Sequence, residues 1–129
     1  MADRSAVDRL LERRRSELER VEPTELAARA AAGALVVDLR PEQDRRRDGA
    51  LPGAVVVERI HLEWRLDPTS EHRLPDATPD RAVILVCNEG YASSLAAATL
   101  RDLGVDATDL AGGYRAWRSH HPVPSTGPR

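Results

Sequence analysis

The most constraining feature of this chain is a short apolar run, Ala82-Val83-Ile84-Leu85-Val86, that stops at its single cysteine. A run this short, with no polar alternation, reads as a strand buried on both faces, as in a parallel sheet covered by helices. Cys87 follows at once, then the glycine-containing loop Asn88-Glu89-Gly90-Tyr91-Ala92. From Ser93 to Leu103 the composition is helical, and Gly104 is the expected stop. The thiol is therefore placed between the carboxyl end of a strand and a helix N-terminus. Open parallel sheets put their ligand crevices at those ends, where the amides of loop and first turn converge on an anion. A thiolate or persulfide held there is stabilised relative to the thiol and becomes a nucleophile at neutral pH. The competing account makes Cys87 a small buried apolar residue at a strand end.

The rest of the chain supplies the other layers. Val7, Leu10, Leu11 and Leu18 fall at helical spacing within Asp3–Glu19, which predicts an N-terminal helical extension over residues 1–19. Arg20–Glu22 reads as extended, and Pro23, Glu25 and Gly33 bracket a helix over about 23–32. Ala34–Leu39 is a second buried strand that empties into Asp38 and Arg40, and Glu42–Asp48 is a short, solvated helix. Gly49–Ala54 is turn chemistry leading into a strand at Val55-Val56-Val57, followed by a short helix through Leu62 and Leu66. Asp67–Asp80 is a polar loop that leaves His72 in solvent. The fold class is α/β, a parallel sheet with helices on both faces plus the N-terminal helix, with the domain at 20–121 and a disordered tail at 122–129.

With 129 residues and 41% hydrophobic content the chain suits one domain. It has no Phe, so the core must be built of Leu, Val and Ala in closely packed elements. A net charge of −2 gathers neither nucleic acid nor anionic lipid, and no apolar run approaches a membrane span. A cytoplasmic protein is expected. One cysteine excludes an internal disulfide and a multi-cysteine metal site, so no metal is expected.

Cys87-x-x-Gly90-x-x-Ser93 after an apolar strand resembles the active-site loop of the rhodanese (sulfurtransferase) family. Asp38-Leu39-Arg40 is similar to that family's Asp-x-Arg, Gly49-Ala50-Leu51-Pro52-Gly53-Ala54 to its Gly-His-Ile-Pro-Gly-Ala, and Gly112-Gly113-Tyr114-Arg115-Ala116-Trp117 to its Gly-Gly-x-x-Ala-Trp. The resemblance implies a covalent persulfide on Cys87 and no further cofactor. Its donor would be thiosulfate or another persulfide, and its acceptor cyanide, a small thiol or a partner protein's cysteine. Asn88, Glu89, Gly90, Tyr91, Ala92 and Ser93 would form the sulfur-binding loop. The alternative is a rhodanese-fold binding module whose cysteine turns over poorly.

Departures from the family pattern sharpen the expectations. The loop offers Asn88, Glu89 and Tyr91 where a cation is common, and Ala50 stands for the family's His. An unpaired carboxylate is costly to bury, so Glu89 should point outward. Compensating charge is expected from Arg40 or Arg59, each just past a strand, or else Asp38 and Arg40 tie loops to the sheet. Ser93 and Ser94 should cap the following helix, Ser93 also offering its hydroxyl to the sulfur. Trp64 is expected in the core or a pocket wall, Trp117 in packing, and His61 has no partner at recognisable spacing. A phosphatase would need an arginine where Ser93 stands. Oligomeric state is left open.

Overall fold

The computed structural model describes residues 4–121. Four parallel strands, β1 (Leu35–Asp38), β2 (Val55–Val56), β3 (Ala82–Val86) and β4 (Asp106–Asp109), lie in the order β2-β1-β3-β4. The helices are α1 (Ala6–Arg15), α2 (Leu26–Ala31), α3 (Glu42–Asp48), α4 (Leu62–Leu66), α5 (Ala92–Asp102) and α6 (Gly113–His120).

The two continuous apolar runs become the central strands because only a central strand has both faces covered. Their pleat divides the core. Leu35 and Val37 of β1 with Val83 and Leu85 of β3 meet Leu62 and Leu66 of α4 and Ala96, Ala97 and Leu100 of α5. Val36, Ile84 and Val86 point the other way, onto Leu26 of α2, Leu110 just past β4 and Tyr114 of α6. Helices thus cover both faces, as the sequence implied. Each of these leucines and valines contributes roughly 1.5–3 kcal/mol by leaving water. The buried alanines of α5 let its backbone approach the sheet, which is how a core without Phe closes.

Pairing of Asp38 with Val86 levels the carboxyl ends of β1 and β3. The chain after β1 therefore passes beside Cys87, with Leu39 N–H donating to the Val86 carbonyl at 2.8 Å.

Several expectations shift. The N-terminal helix is shorter than Asp3–Glu19: Ser5 Oγ accepts from Asp8 N–H at its start, and the chain leaves the helix at Ser16. Leu18 packs on the core from outside that helix. The predicted 23–32 helix opens as a 3-10 turn, Pro23–Glu25. β2 pairs only through Val55 and Val56, with Val57 buried beyond it. β4 has no counterpart in the sequence reading, because Asp-Ala-Thr-Asp lacks an apolar run. It is a strand by virtue of its partners: β3 on one side and, past its end, the Val21–Leu110 bridge on the other. Trp64, expected in core or pocket wall, stays out of the core, 58% exposed, since α4 turns its leucines inward, and it lines a cavity with Glu63, Asp67, Ser70 and Leu103. Trp117 packs beside Tyr114. The 122–129 tail lies outside the described residues. Among the described residues no helix is long and apolar enough to cross a membrane.

Candidate active site

Cys87 is the first residue after β3 and is buried, 8% exposed. The chain then curls around its sulfur. Gly90, at φ +87°, turns its N–H inward to donate to Sγ at 3.2 Å, and Ser93 N–H donates at 3.3 Å. The loop carbonyls are held away from the sulfur. Cys87 and Asn88 C=O accept from the N–H groups of Tyr114 (2.8 Å) and Arg115 (3.0 Å), in the first turn of α6. That approach requires Gly113, at φ +65°, because a Cβ there would lie 2.5 Å from the Cys87 carbonyl oxygen. The Gly-Gly piece of the sequence thus fixes the cysteine loop through α6.

A second set of contacts arrives from the N-terminal segment. Gly90 C=O accepts from Arg15 Nη2 at 2.6 Å and Arg20 Nη2 at 2.9 Å. Arg15 Nε also donates to Ser94 Oγ at 3.0 Å, and its guanidinium lies 5.5 Å above the centre of the Tyr91 ring. Arg20 grips Asp109 with both Nε (2.9 Å) and Nη2 (3.1 Å). Asp109 is fully buried and accepts from the hydroxyls of Ser93 and Ser94, each at 2.7 Å. Desolvation, then the like charge of Arg20, lowers the Arg15 pKa, while Asp109, Tyr91 and Cys87 oppose that shift. Two guanidinium groups against one carboxylate leave the loop backed by positive charge.

These residues were missed from sequence. The sequence reading places the compensating cations, Arg40 and Arg59, just past β1 and β2, whereas Arg15 and Arg20 come from the N-terminal segment, 70 or more positions before Gly90 in the chain. The sequence carried one usable signal: with Asp106–Asp109 read as a strand, period two puts Ala107 and Asp109 on one face, and both are buried. The expected helix caps are corrected as well. α5 begins at Ala92, with Tyr91 in the capping position and no side-chain cap, because the hydroxyls of Ser93 and Ser94 are taken by Asp109.

A cleft of about 350 Å³ opens over Cys87, with Leu39, Pro41, Tyr91 and Ala92 as its apolar walls and Arg40, Arg59, Asn88 and Glu89 as its polar ones. Each charge already holds a partner. Arg40, 1% exposed, forms a two-pronged pair with Asp38 through Nε (3.0 Å) and Nη2 (2.8 Å). It also donates to Gly49 C=O at 2.9 Å and stacks 3.7 Å from the centre of the Tyr114 ring. Arg59 reaches both carboxylate oxygens of Glu63 at 2.9 Å. Glu89 is half-exposed, 3.4 Å from Arg115, and Asn88 Nδ2 donates to Asp44 at 2.7 Å. His61 lies with Val56, Val57, Glu58 and Arg65 beside a separate cavity.

A buried thiol held by loop amides at the carboxyl end of a central parallel strand defines a cysteine-loop α/β domain. The family model for the rhodanese-like domain matches residues 22–120, and the chain belongs to that family. It is 32% identical over 109 residues to a thiosulfate sulfurtransferase, GlpE, of Pseudomonas fluorescens, covering 84% of this chain and 92% of that protein. Among solved structures it is similar to a rhodanese homolog from Thermus thermophilus, 34% identical with a TM-score of 0.57, covering 76% of this chain and 99% of that one. It is also similar to a protein of unknown function from Rhodopseudomonas palustris, described as a possible tyrosine phosphatase. That match is 28% identical with a TM-score of 0.81, covering 94% of this chain and 95% of that one.

Proposed function

We propose that this chain transfers sulfane sulfur through a persulfide on Cys87. The observation that carries the reading is the pair of inward amides, Gly90 and Ser93 N–H, at 3.2 and 3.3 Å from Sγ. In the first displacement the Cys87 sulfur attacks the outer sulfur of thiosulfate or a persulfide, and the S–S bond electrons leave with sulfite or a thiolate. In the second, cyanide, a small thiol or a protein cysteine attacks the outer sulfur and the Cys87 thiolate departs. Negative charge develops near one place in both steps, so donors fixed in advance stabilise each of them, every donor worth on the order of 3 kcal/mol by analogy with oxyanion holes. Arg15 and Arg20 support this from behind the loop. Phosphate-ester hydrolysis fits less well, because Ser93 occupies the place where a guanidinium would grip the phosphate.

Intact-mass measurement after incubation with thiosulfate or a persulfide donor tests the reading. The protein is expected to gain one sulfur and to release thiocyanate when cyanide is added, and Cys87→Ser is expected to do neither. Wild-type protein that gains no sulfur from any donor would leave the binding-module alternative.

The paired charges of the cleft make a second expectation. Glu63→Gln frees Arg59 to meet an anionic donor. It should raise kcat/KM for thiosulfate about 3–10-fold, matching the roughly 1 kcal/mol of a partly exposed ion pair. A sulfur donor that carries no negative charge should show no such gain, and equal changes for both donors would detach Arg59 from donor charge.

A further inference from the structure

We propose that Asp109 is a positioning residue for Cys87, acting through Ser93 as a line along which the thiol proton leaves. This rests on the Cys87 persulfide reading. The argument turns on the single proton of the Ser93 hydroxyl. Ser93 Oγ lies 2.7 Å from Asp109 Oδ2 and 3.2 Å from Cys87 Sγ. A charge-assisted bond is roughly twice as strong as a neutral one, so the hydroxyl proton belongs to Asp109. Towards the sulfur, Ser93 then presents only a lone pair, which accepts the Cys87 S–H. At rest the arrangement holds a thiol, S–H to Oγ and O–H to the carboxylate, while the Gly90 and Ser93 amides already face the sulfur.

Attack on the donor moves two protons and two electron pairs. The S–H proton passes to Ser93 Oγ as the hydroxyl proton passes to Asp109 Oδ2. The S–H electron pair becomes the new bond from Sγ to the outer sulfur, and the donor's S–S pair leaves with sulfite or thiolate. When an acceptor removes the sulfur, the Cys87 thiolate is regenerated and the protons return along the same line. Arg20 and the Ser94 hydroxyl keep the carboxylate in place.

The charges facing this line are few. Behind the loop stand Arg15, Arg20 and Asp109. On the cleft side Arg40, Arg59 and Glu89 are paired with Asp38, Glu63 and Arg115, and Tyr91 is held beside Arg15.

Two pH profiles test the proposal on the full chain. In the first, iodoacetamide alkylation of Cys87 needs no sulfur chemistry. Ser93→Ala removes the acceptor of the S–H but leaves both amides, so the pH midpoint of alkylation should move down. A move upward would mean that Ser93 donates to the thiolate, and would overturn the proposal. Asp109→Asn should also lower the midpoint, and its effect should shrink in the Ser93→Ala background; fully additive shifts would overturn the path through Ser93. In the second profile, single-turnover loading from thiosulfate should stay level below the wild-type alkylation midpoint, because the thiol itself is the attacking form. Ser93→Ala should instead lose about tenfold per pH unit below its own, lower midpoint, as expected when only preformed thiolate reacts. Wild-type loading that tracks the alkylation curve would overturn the proposal. Wild-type protein that takes no sulfur at all would end the persulfide reading, and the alkylation profile alone would then decide the role of Ser93 and Asp109.

Discussion

Gly113→Ala is expected to destabilise the protein by about 2–5 kcal/mol, the sum of a left-handed backbone penalty and backbone overlap. The new Cβ would sit 2.5 Å from Cys87 O and 2.7 Å from Asn88 O, and both atoms belong to the turn that aims the loop amides at the sulfur. Neither has side-chain freedom with which to yield. The loss is a large part of the 5–15 kcal/mol typical of a domain, so thermal unfolding should fall by roughly 10 °C or more. Sulfur loading should fall with it even where the protein remains folded, because moving α6 releases the Cys87 and Asn88 carbonyls. Gly104→Ala is the matched control: its φ of +85° is similar, but nothing lies within 4 Å of the new Cβ. Only the backbone penalty of about 1–2 kcal/mol should appear there. Equal losses at the two positions would show that the close contact at Gly113 is unimportant.

Asp38→Ala should cost about 3–5 kcal/mol, because it leaves a buried guanidinium without its counter-charge. Arg40 is sealed against the Tyr114 ring and cannot turn to solvent without opening that side of the core. The double variant Asp38→Val, Arg40→Met replaces both charges with apolar groups of similar size, and should lie within about 1–2 kcal/mol of wild type in urea unfolding. The same variant separates the two roles open to Arg40. If its pair with Asp38 only ties the loops after β1 to the sheet, the refolded double variant retains sulfur loading. A stable but inactive double variant would mean that Arg40 grips the donor.

The legible and illegible parts of this molecule divide along physical lines. Ala34–Leu39 and Ala82–Val86 announced central strands because burial on both faces leaves no room for polar alternation. The helix after Cys87 was legible from composition and Gly104, to within one residue of its start. Asp106–Asp109 carried no such mark. An edge strand needs only backbone partners and one small inward residue, here Ala107, so its apolar content is low. With that strand went Asp109, and with Asp109 the hydroxyl pattern of Ser93 and Ser94, for which capping was the natural local expectation.

The sequence by itself determined the family, the parallel sheet and the placing of one thiol at the carboxyl end of a strand, because each is written in residues close together along the chain. Only the tertiary structure decided what surrounds that thiol. Arg15, Arg20, Asp109 and Gly113 reach the loop from three separate segments, and the pairings of Arg59 with Glu63 and Glu89 with Arg115 set the charge of the cleft. Short-range order follows from periodicity and turn chemistry. Electrostatic surroundings depend on which distant side chains share a buried volume, and that is set when the helices close on the sheet.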